Sequence, residues 1–489
     1  MNSEKQLSTL QANSNAEKNK TSISVIVSVF LWLLFAGNLT YLILNFSKIP
    51  EWTYGNLLKI NGFTILIWTT VTFFSAIVST YASSYLKGFK YHSKFMLLCL
   101  LFTLSVMFLV VSNNILLLIS SWLIMGVFMS QLIGIDKDWG EAREASKFTQ
   151  KYFLIGSLFL AVGLLLLAFK SGEFTVSGLS LAVTDLPNYI TMIAALCIIA
   201  AAIVQSAIYP FHRWLLSAMT SPTPASALMH AGFVNGAGIL LSLFATLLLT
   251  SDTLTILFAV GGFTAILAQF TKLLQVNVKQ KLACSTIAQM GFMIMQCGLG
   301  FFNAAVAHLI LHGFYKAYLF LSSGEEIEQT KPKQETSVKI KPLLAFLVLI
   351  FGLFGAYLFT VWTGKGTESN SSIFLTLVVA ITVGQATYNI VKEQSLSLIQ
   401  KIVVPALVFI AGIGLYALMY NGVTILMNDM PMIAHPTPLS WVQIIFGFIF
   451  LIGFFLMKFS VYKKIPWMYV KLLNISQPTK KSLLMYKSK

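Results

Sequence analysis

In the run AVAHLILHGFYKAYLFL, His308, His312 and Lys316 stand at i, i+4 and i+8 of an otherwise uncharged stretch, so a helix places all three on one face. Groups that bind and release protons in one row make a relay, and a desolvated lysine beside imidazoles can exchange protons near neutral pH. The bland alternative pairs Lys316 with backbone carbonyls and leaves the histidines in ordinary helix contacts. Three ionisable groups on one face of an apolar run favour the relay. HxxxH spacing can also hold zinc, but no carboxylate or cysteine is near enough in sequence to complete a shell of about four ligands. A metal role is therefore not expected.

A second chemistry-bearing stretch reads VQSAIYPFHRWLLSAMTSPTPASALMHAGFVNGAG. Pro210 ends or breaks one apolar run, and Pro222 and Pro224 restart the chain. A broken helix of this kind exposes backbone groups that membrane proteins tolerate where they line a cavity. His230 follows Pro224 closely, with Asn235 and the small residues Gly232, Gly236 and Gly238 beside it, and reads as a relay or hydrogen-bonding residue. His212 and Arg213 fall at the end of a run, where Arg213 is an interfacial anchor. In a third stretch, KLLQVNVKQKLACSTIAQMGFM, Lys272, Lys279 and Lys281 sit at another such boundary. Gln205, Asn235 and Lys272 are candidate channel-lining residues.

The elements that position these groups follow from composition. The 489 residues are 57% hydrophobic and 10% charged, which excludes a soluble enzyme or a disordered chain. Crossing about 30 Å of hydrocarbon takes about 20 mostly apolar residues. Fourteen such runs occur, near 22–46, 57–82, 94–111, 114–134, 150–169, 188–209, 224–249, 253–274, 282–299, 302–322, 342–361, 372–391, 402–420 and 438–458. Backbone polar groups in lipid must be satisfied within each run, so the expected fold is an all-α polytopic membrane bundle. Residues 1–21 form a polar N-terminus, 22–458 the transmembrane domain and 459–489 a basic tail.

Charge adds the sidedness. Lys and Arg number 33 against 17 Asp and Glu, a formal net charge of +16. If fourteen spans alternate, one face collects 28 of the 33 basic residues. The other face holds only Lys48, Lys59, Lys170 and Lys365, and Lys316 lies within a span. This asymmetry predicts that the basic face, with both termini, is cytoplasmic, and it accounts for the charge without nucleic acid. The segment from Lys458 onward, rich in lysine and interleaved with Trp467, Tyr469, Leu472 and Leu473, suits a lipid surface or a partner. No Asp or Glu falls near mid-span, and Cys99, Cys197, Cys284 and Cys297 stand singly in apolar runs, as small buried side chains. No dinucleotide-binding glycine motif or cluster-binding cysteine set is present, so redox catalysis by this chain is not expected.

Residues 94–324 resemble the antiporter-like subunits of respiratory complex I and of multisubunit cation/proton antiporters. The strings that carry the resemblance are PFHRWLLSAMTSPTPASALMHAG, NVKQKLACSTIAQMGFM and HLILHGFYKAYLFLSSG, in that order. It implies inverted five-helix repeats, each with a broken helix and a half-channel, and places His230, His308, His312 and Lys316 at the proton-relay positions. GLFGAYLFTVWTGKG stands where the family has a Pro-Gly-rich broken helix ending in Ser-Lys-Asp/Glu, and three single-residue departures stand out. Leu123 follows Trp122 where the family has glutamate, Gln205 replaces a lysine, and Asn277 replaces an aspartate. With SALMHAGFVNGAG, this combination looks like the DabB (MpsA-like) membrane-subunit family of DAB inorganic-carbon transporters.

That resemblance implies a non-enzymatic subunit through which a proton or sodium gradient drives CO2 hydration and bicarbonate accumulation. It also implies a large DabA-like partner, similar to carbonic anhydrase, which carries the zinc; no cofactor is implied in this chain. The competing expectations are a subunit of a multisubunit Na+/H+ antiporter or complex I-like pump, and a non-transporting scaffold. The expected location is the bacterial cell membrane.

Overall fold

The computed structural model describes residues 2–323, 342–393, 395–458 and 461–482. The connector at 324–341 and the end of the tail lie outside the described residues. Each of the fourteen apolar runs corresponds to helical structure. Helix α1 spans Asn2–Leu44, α2 Gly62–Tyr85, α3 His92–Val111 and α4 Ile115–Ile133. They are followed by α5 (Gly140–Ser171), a short α6 (Val176–Ala182) and α7 (Asn188–Gln205). Helix α8 (Arg213–Ser217) lies between the sixth and seventh runs, and the seventh is divided among α9 (Thr223–Ala231), α10 (Gly236–Leu243) and α11 (Ala245–Thr250). Then come α12 (Leu254–Lys272), α13 (Val278–Gly298), α14 (Phe302–Leu321), α15 (Pro342–Thr363), α16 (Ser372–Lys392), α17 (Gln400–Leu426) and α18 (Trp441–Lys458). The chain closes with α19 (Val461–Lys464) and α20 (Pro466–Ile475).

By length and composition, 12 helical segments are apolar enough to cross a membrane, the α9–α10 pair counting as one. Helices α13 and α18 fall outside that count: α13 carries Lys279, Gln280 and Lys281 in its first turn, and the apolar stretch of α18, Trp441–Met457, is shorter. Two boundaries move. The helix of the first run extends back through the polar residues to Asn2, and α5 starts at Gly140, with Glu141 favourably placed in its first turn.

Local chemistry sets the helix starts. Asn61 Oδ1 accepts from Thr64 N at 3.0 Å to open α2, Asn114 Oδ1 accepts from Leu116 N at 2.9 Å to open α4, and Asn277 Oδ1 accepts from Gln280 N at 3.3 Å to open α13. Asn277 therefore caps α13 with an uncharged side chain.

Many helices adjacent in sequence pack as neighbours, α12 against α13 most extensively, and α5 packs on α7 and α9 on α14 across the sequence. A Cβ at Gly298 would lie 2.3 Å from Phe258 N, and one at Gly261 would lie 2.6 Å from Gly291 O. Small residues here let the backbones touch, which is how helices gain packing energy in lipid.

On the face away from most lysines, the loops are stitched together. Strands β1 (Trp52–Tyr54) and β2 (Leu58–Ile60) pair antiparallel, and single bridges join Leu58 to Ser112, Asn114 to Thr175, Phe301 to Ala434 and Asn370 to Pro438. On the other face the basic tail is placed on its own chain. Leu472 packs with Phe270 and Tyr462, and Thr479 N donates to Ser217 Oγ at 3.0 Å. Leu472 and Tyr462 are thereby buried, while Trp467, Tyr469 and Val470 stay exposed.

Candidate functional site

The site starts from a break in the seventh span. Pro210 follows α7 in a cis Tyr209–Pro210 bond, Pro222 caps α9 and Pro224 sits in its first turn, so all three flank the connection. The interruption at depth falls instead at Gly232–Asn235, where weak helix formers separate α9 from α10. Side chains satisfy the carbonyls freed there: Asn235 Nδ2 donates to Ala231 O at 2.7 Å, Gln205 Nε2 to Phe233 O at 3.3 Å and Ser206 Oγ to Val234 O. Gln205 thus braces the broken helix. Asn235 also reaches Leu309 O on α14 at 3.4 Å, which ties the break to the helix bearing the histidine–lysine row.

Against this break lies a continuous polar thread. Lys316 is fully buried and its Nζ donates to Leu282 O at 3.0 Å. Thr286 Oγ1 donates to the same Leu282 carbonyl at 3.1 Å, and lies 2.9 Å from His230 Nδ1. A hydroxyl has one proton, so with Thr286 donating to Leu282, Nδ1 of His230 is the donor to Thr286. His230 Nε2 then carries the free lone pair, and it is buried without a partner. Phe320, one turn beyond Lys316, stacks on His230 at 4.4 Å and holds the ring in place. Among the described residues no carboxylate lies within salt-bridge distance of Lys316; the recorded pairs Lys59–Glu51, Lys90–Asp138 and Lys147–Glu144 are peripheral.

His312 is buried with both ring nitrogens unpartnered, 6.1 Å from His308 between ring centroids. Both face a cavity of about 530 Å³ between α12–α14 and α15–α18, whose polar wall includes Gln269, Gln289, Gln296 and Tyr416. Buried polar atoms without protein partners, in a space this large, are suited to water or a polar solute. The four relay candidates therefore fall into two parts, His308 and His312 on the cavity, and Lys316 with His230 on the thread. At the basic end, Lys279 Nζ donates to Ser221 O at 2.8 Å, while Lys272 ends α12 half-buried. Arg213 opens α8, and His212 Nε2 donates to Ile475 O at 2.8 Å, clipping α20 in place. Burial lowers the pKa of His212 to about 4, so the clip is made by neutral imidazole.

Leu123 is 36% exposed whereas Ser121 and Trp122 are buried. A carboxylate directly after Trp122 would point away from this cluster in the present packing. Sequence patterning did not single out Thr286, Gln296 or Tyr416, which are uncharged residues inside apolar helices; Thr286 is identified by its hydrogen bonds and the other two by the cavity that they line. Among the described residues no group of three or more His, Cys, Asp or Glu converges as a metal site.

Comparisons with known proteins agree on the fold. Residues 112–350 match the family model described as NADH:quinone oxidoreductase/Mrp antiporter, TM. The chain is 32% identical over 340 residues to a probable inorganic carbon transporter subunit DabB1 of Halothiobacillus neapolitanus, covering 67% of this chain and 59% of that protein. It is 34% identical over 281 residues to NADH-quinone oxidoreductase subunit L of Pseudomonas aeruginosa, covering 55% of this chain and 45% of that protein. The structure of the Mrp complex from Dietzia sp. DQ12-45-1b superposes with a TM-score of 0.62 at 19% identity, covering 93% of this chain and 57% of that one, which establishes likeness of fold. The chain spans about three-fifths of the length of the DabB relative.

Proposed function

Residues 112–350 belong to the NADH:quinone oxidoreductase/Mrp antiporter transmembrane family and the chain is similar to DabB subunits, and from that premise we propose that it is the ion-translocating membrane subunit of an inorganic-carbon uptake complex. A proton or sodium gradient, moving through His308, His312, His230 and Lys316, drives a DabA-like partner that hydrates CO2 and holds the zinc. The chain sits in a bacterial cell membrane with its basic face and both termini cytoplasmic. Gln205, Asn235 and Lys272 line or brace the path.

The observation that carries the reading is the buried Lys316 ammonium, linked through Leu282 O and Thr286 to an imidazole with a free lone pair. Burying a lysine at depth without an acid is costly, and its retention beside titratable rings fits proton transfer. Deleting the chain should abolish growth in ambient air, with raised CO2 restoring it. Sodium sensitivity independent of CO2 would favour the Na+/H+ antiporter or complex I-like reading instead, for which the similarity to subunit L speaks.

A further inference from the structure

The basic C-terminal segment takes no part in the central site, and its helix α20 has two unlike faces. Met468 and Leu472, one turn apart, pack with Phe270 of α12, with Tyr462 and with Leu274 of the loop after α12. The same segment is held at Ile475 O by His212 Nε2 and at Thr479 N by Ser217 Oγ. The opposite face carries Trp467, Val470, Lys471 and Asn474, spaced i, i+3, i+4 and i+7, and all four are exposed, Trp467 by 69%. Lys464 is exposed just ahead of this face.

Three further observations say what meets it. Helix α18, an apolar run, ends at Lys458 and α20 opens at Pro466 against the end of another span, α12, so α20 lies at the level where the spans stop. The neighbouring loop projects Leu273 and Val276, the latter 98% exposed, between Lys272 and Lys281. An apolar side chain so placed loses water contact only by entering a lipid boundary or a partner. Finally, residues 459–489 include seven lysines and no Asp or Glu, so the complementary surface is anionic. Exposed indole and valine beside lysines form the pattern of an interfacial helix, with the ring among the headgroups and the ammoniums toward phosphate. A leaflet meets α20 and the 273–276 loop together because both lie at span ends, which favours lipid over a protein partner.

We propose that α20 and the 273–276 loop form a binding surface for anionic phospholipid, in which Trp467, Val470 and Val276 enter the boundary of the leaflet and Lys464, Lys471 and Lys281 meet headgroup phosphates. Lipid then holds the outer face of the helix while His212 and Ser217 hold its inner side, so the tail ties the leaflet to the segment just before the broken helix. The proposal is independent of what the chain transports.

The test uses the full chain in vesicles of phosphatidylcholine and phosphatidylglycerol. Asn474→Cys carries an environment-sensitive fluorophore, and Cys197→Ala removes the partly exposed native thiol, the other three being buried. Bromines on the acyl chains of phosphatidylglycerol or, in a matched sample, on an equal mole fraction of phosphatidylcholine quench the probe beside them. At low salt phosphatidylglycerol should quench about fivefold more strongly, the fold-change of one lysine at an anionic surface. That preference should fall toward one at high salt and in the double variant Lys464→Gln/Lys471→Gln, whose lysines are exposed and make no fold contact the helix needs. Equal quenching by both lipids at low salt, or quenching by neither, overturns the proposal, as does a preference unchanged in the double variant. Loss of quenching by both lipids when co-purifying chains are retained assigns the surface to a protein partner and overturns it too.

Discussion

At the scale of single residues, the central site depends on one shared carbonyl. Leu282 O accepts from Lys316 and from Thr286, and this fixes which nitrogen of His230 is left to accept a proton. Thr286→Val preserves shape and removes the hydroxyl, so it should lower gradient-driven flux about tenfold, the equivalent of one hydrogen bond of about 1.4 kcal/mol, while Thr286→Ser retains it. Lys316→Met should remove flux while leaving assembly intact, as read by co-purification of the partner chains. Lys365 provides a separate stability readout. With its folded pKa near 7 and a usual value of 10.5, the unfolded chain holds the extra proton between those limits, so stability rises with pH there. The thermal midpoint of the wild type should therefore climb relative to Lys365→Met as pH is raised from about 7 to about 10.

At the scale of elements, the α12–α13 contact and the tail clip make distinct predictions. Gly298→Ala pushes a Cβ to 2.3 Å from Phe258 N, so the backbones must separate. A loss of about 1–3 kcal/mol is expected, seen as a lower midpoint in detergent. His212 is held neutral, its pKa depressed to about 4, whereas in an unfolded chain it titrates near 6.5. The clip's contribution is thus whole above pH 6.5 and is lost as pH falls from there toward 4, so proteolytic cleavage around α20 should accelerate over that interval. The elements themselves were largely legible from the sequence, because hydrocarbon thickness dictates run length whatever the packing. The break was less so. Prolines pointed to the connection before α9, while the interruption at Gly232–Asn235 depends on side chains from α7 and α14 that no local pattern reveals. The His308–His312–Lys316 row was readable from spacing, but its division between cavity and thread was not, since that depends on which neighbour each turn meets.

Across the whole molecule, the distribution of lysines organises both topology and mechanism. The alternation that leaves Lys48, Lys59, Lys170 and Lys365 on one face predicts that cysteines introduced at Lys48 and Lys170 are labelled from outside intact cells, and one at Lys281 only after permeabilisation. The reverse labelling pattern would invert the direction assigned to the path. Similarity to DabB subunits further predicts that a zinc protein co-purifies with the chain; recovery of a quinone-reducing assembly instead would select the complex I-like reading. One property of the centre follows from the partner that Lys316 has. Lys316 is matched by a carbonyl and not by a carboxylate, so a proton that it takes leaves one uncompensated positive charge at depth and a proton that it gives removes it. The transmembrane voltage acts on that change directly, at up to about 2.3 kcal/mol per 100 mV for a charge crossing the whole field. Turnover should then respond to membrane potential even with the pH equal on both sides, making the electrical part of the ion gradient as much a fuel as the chemical part.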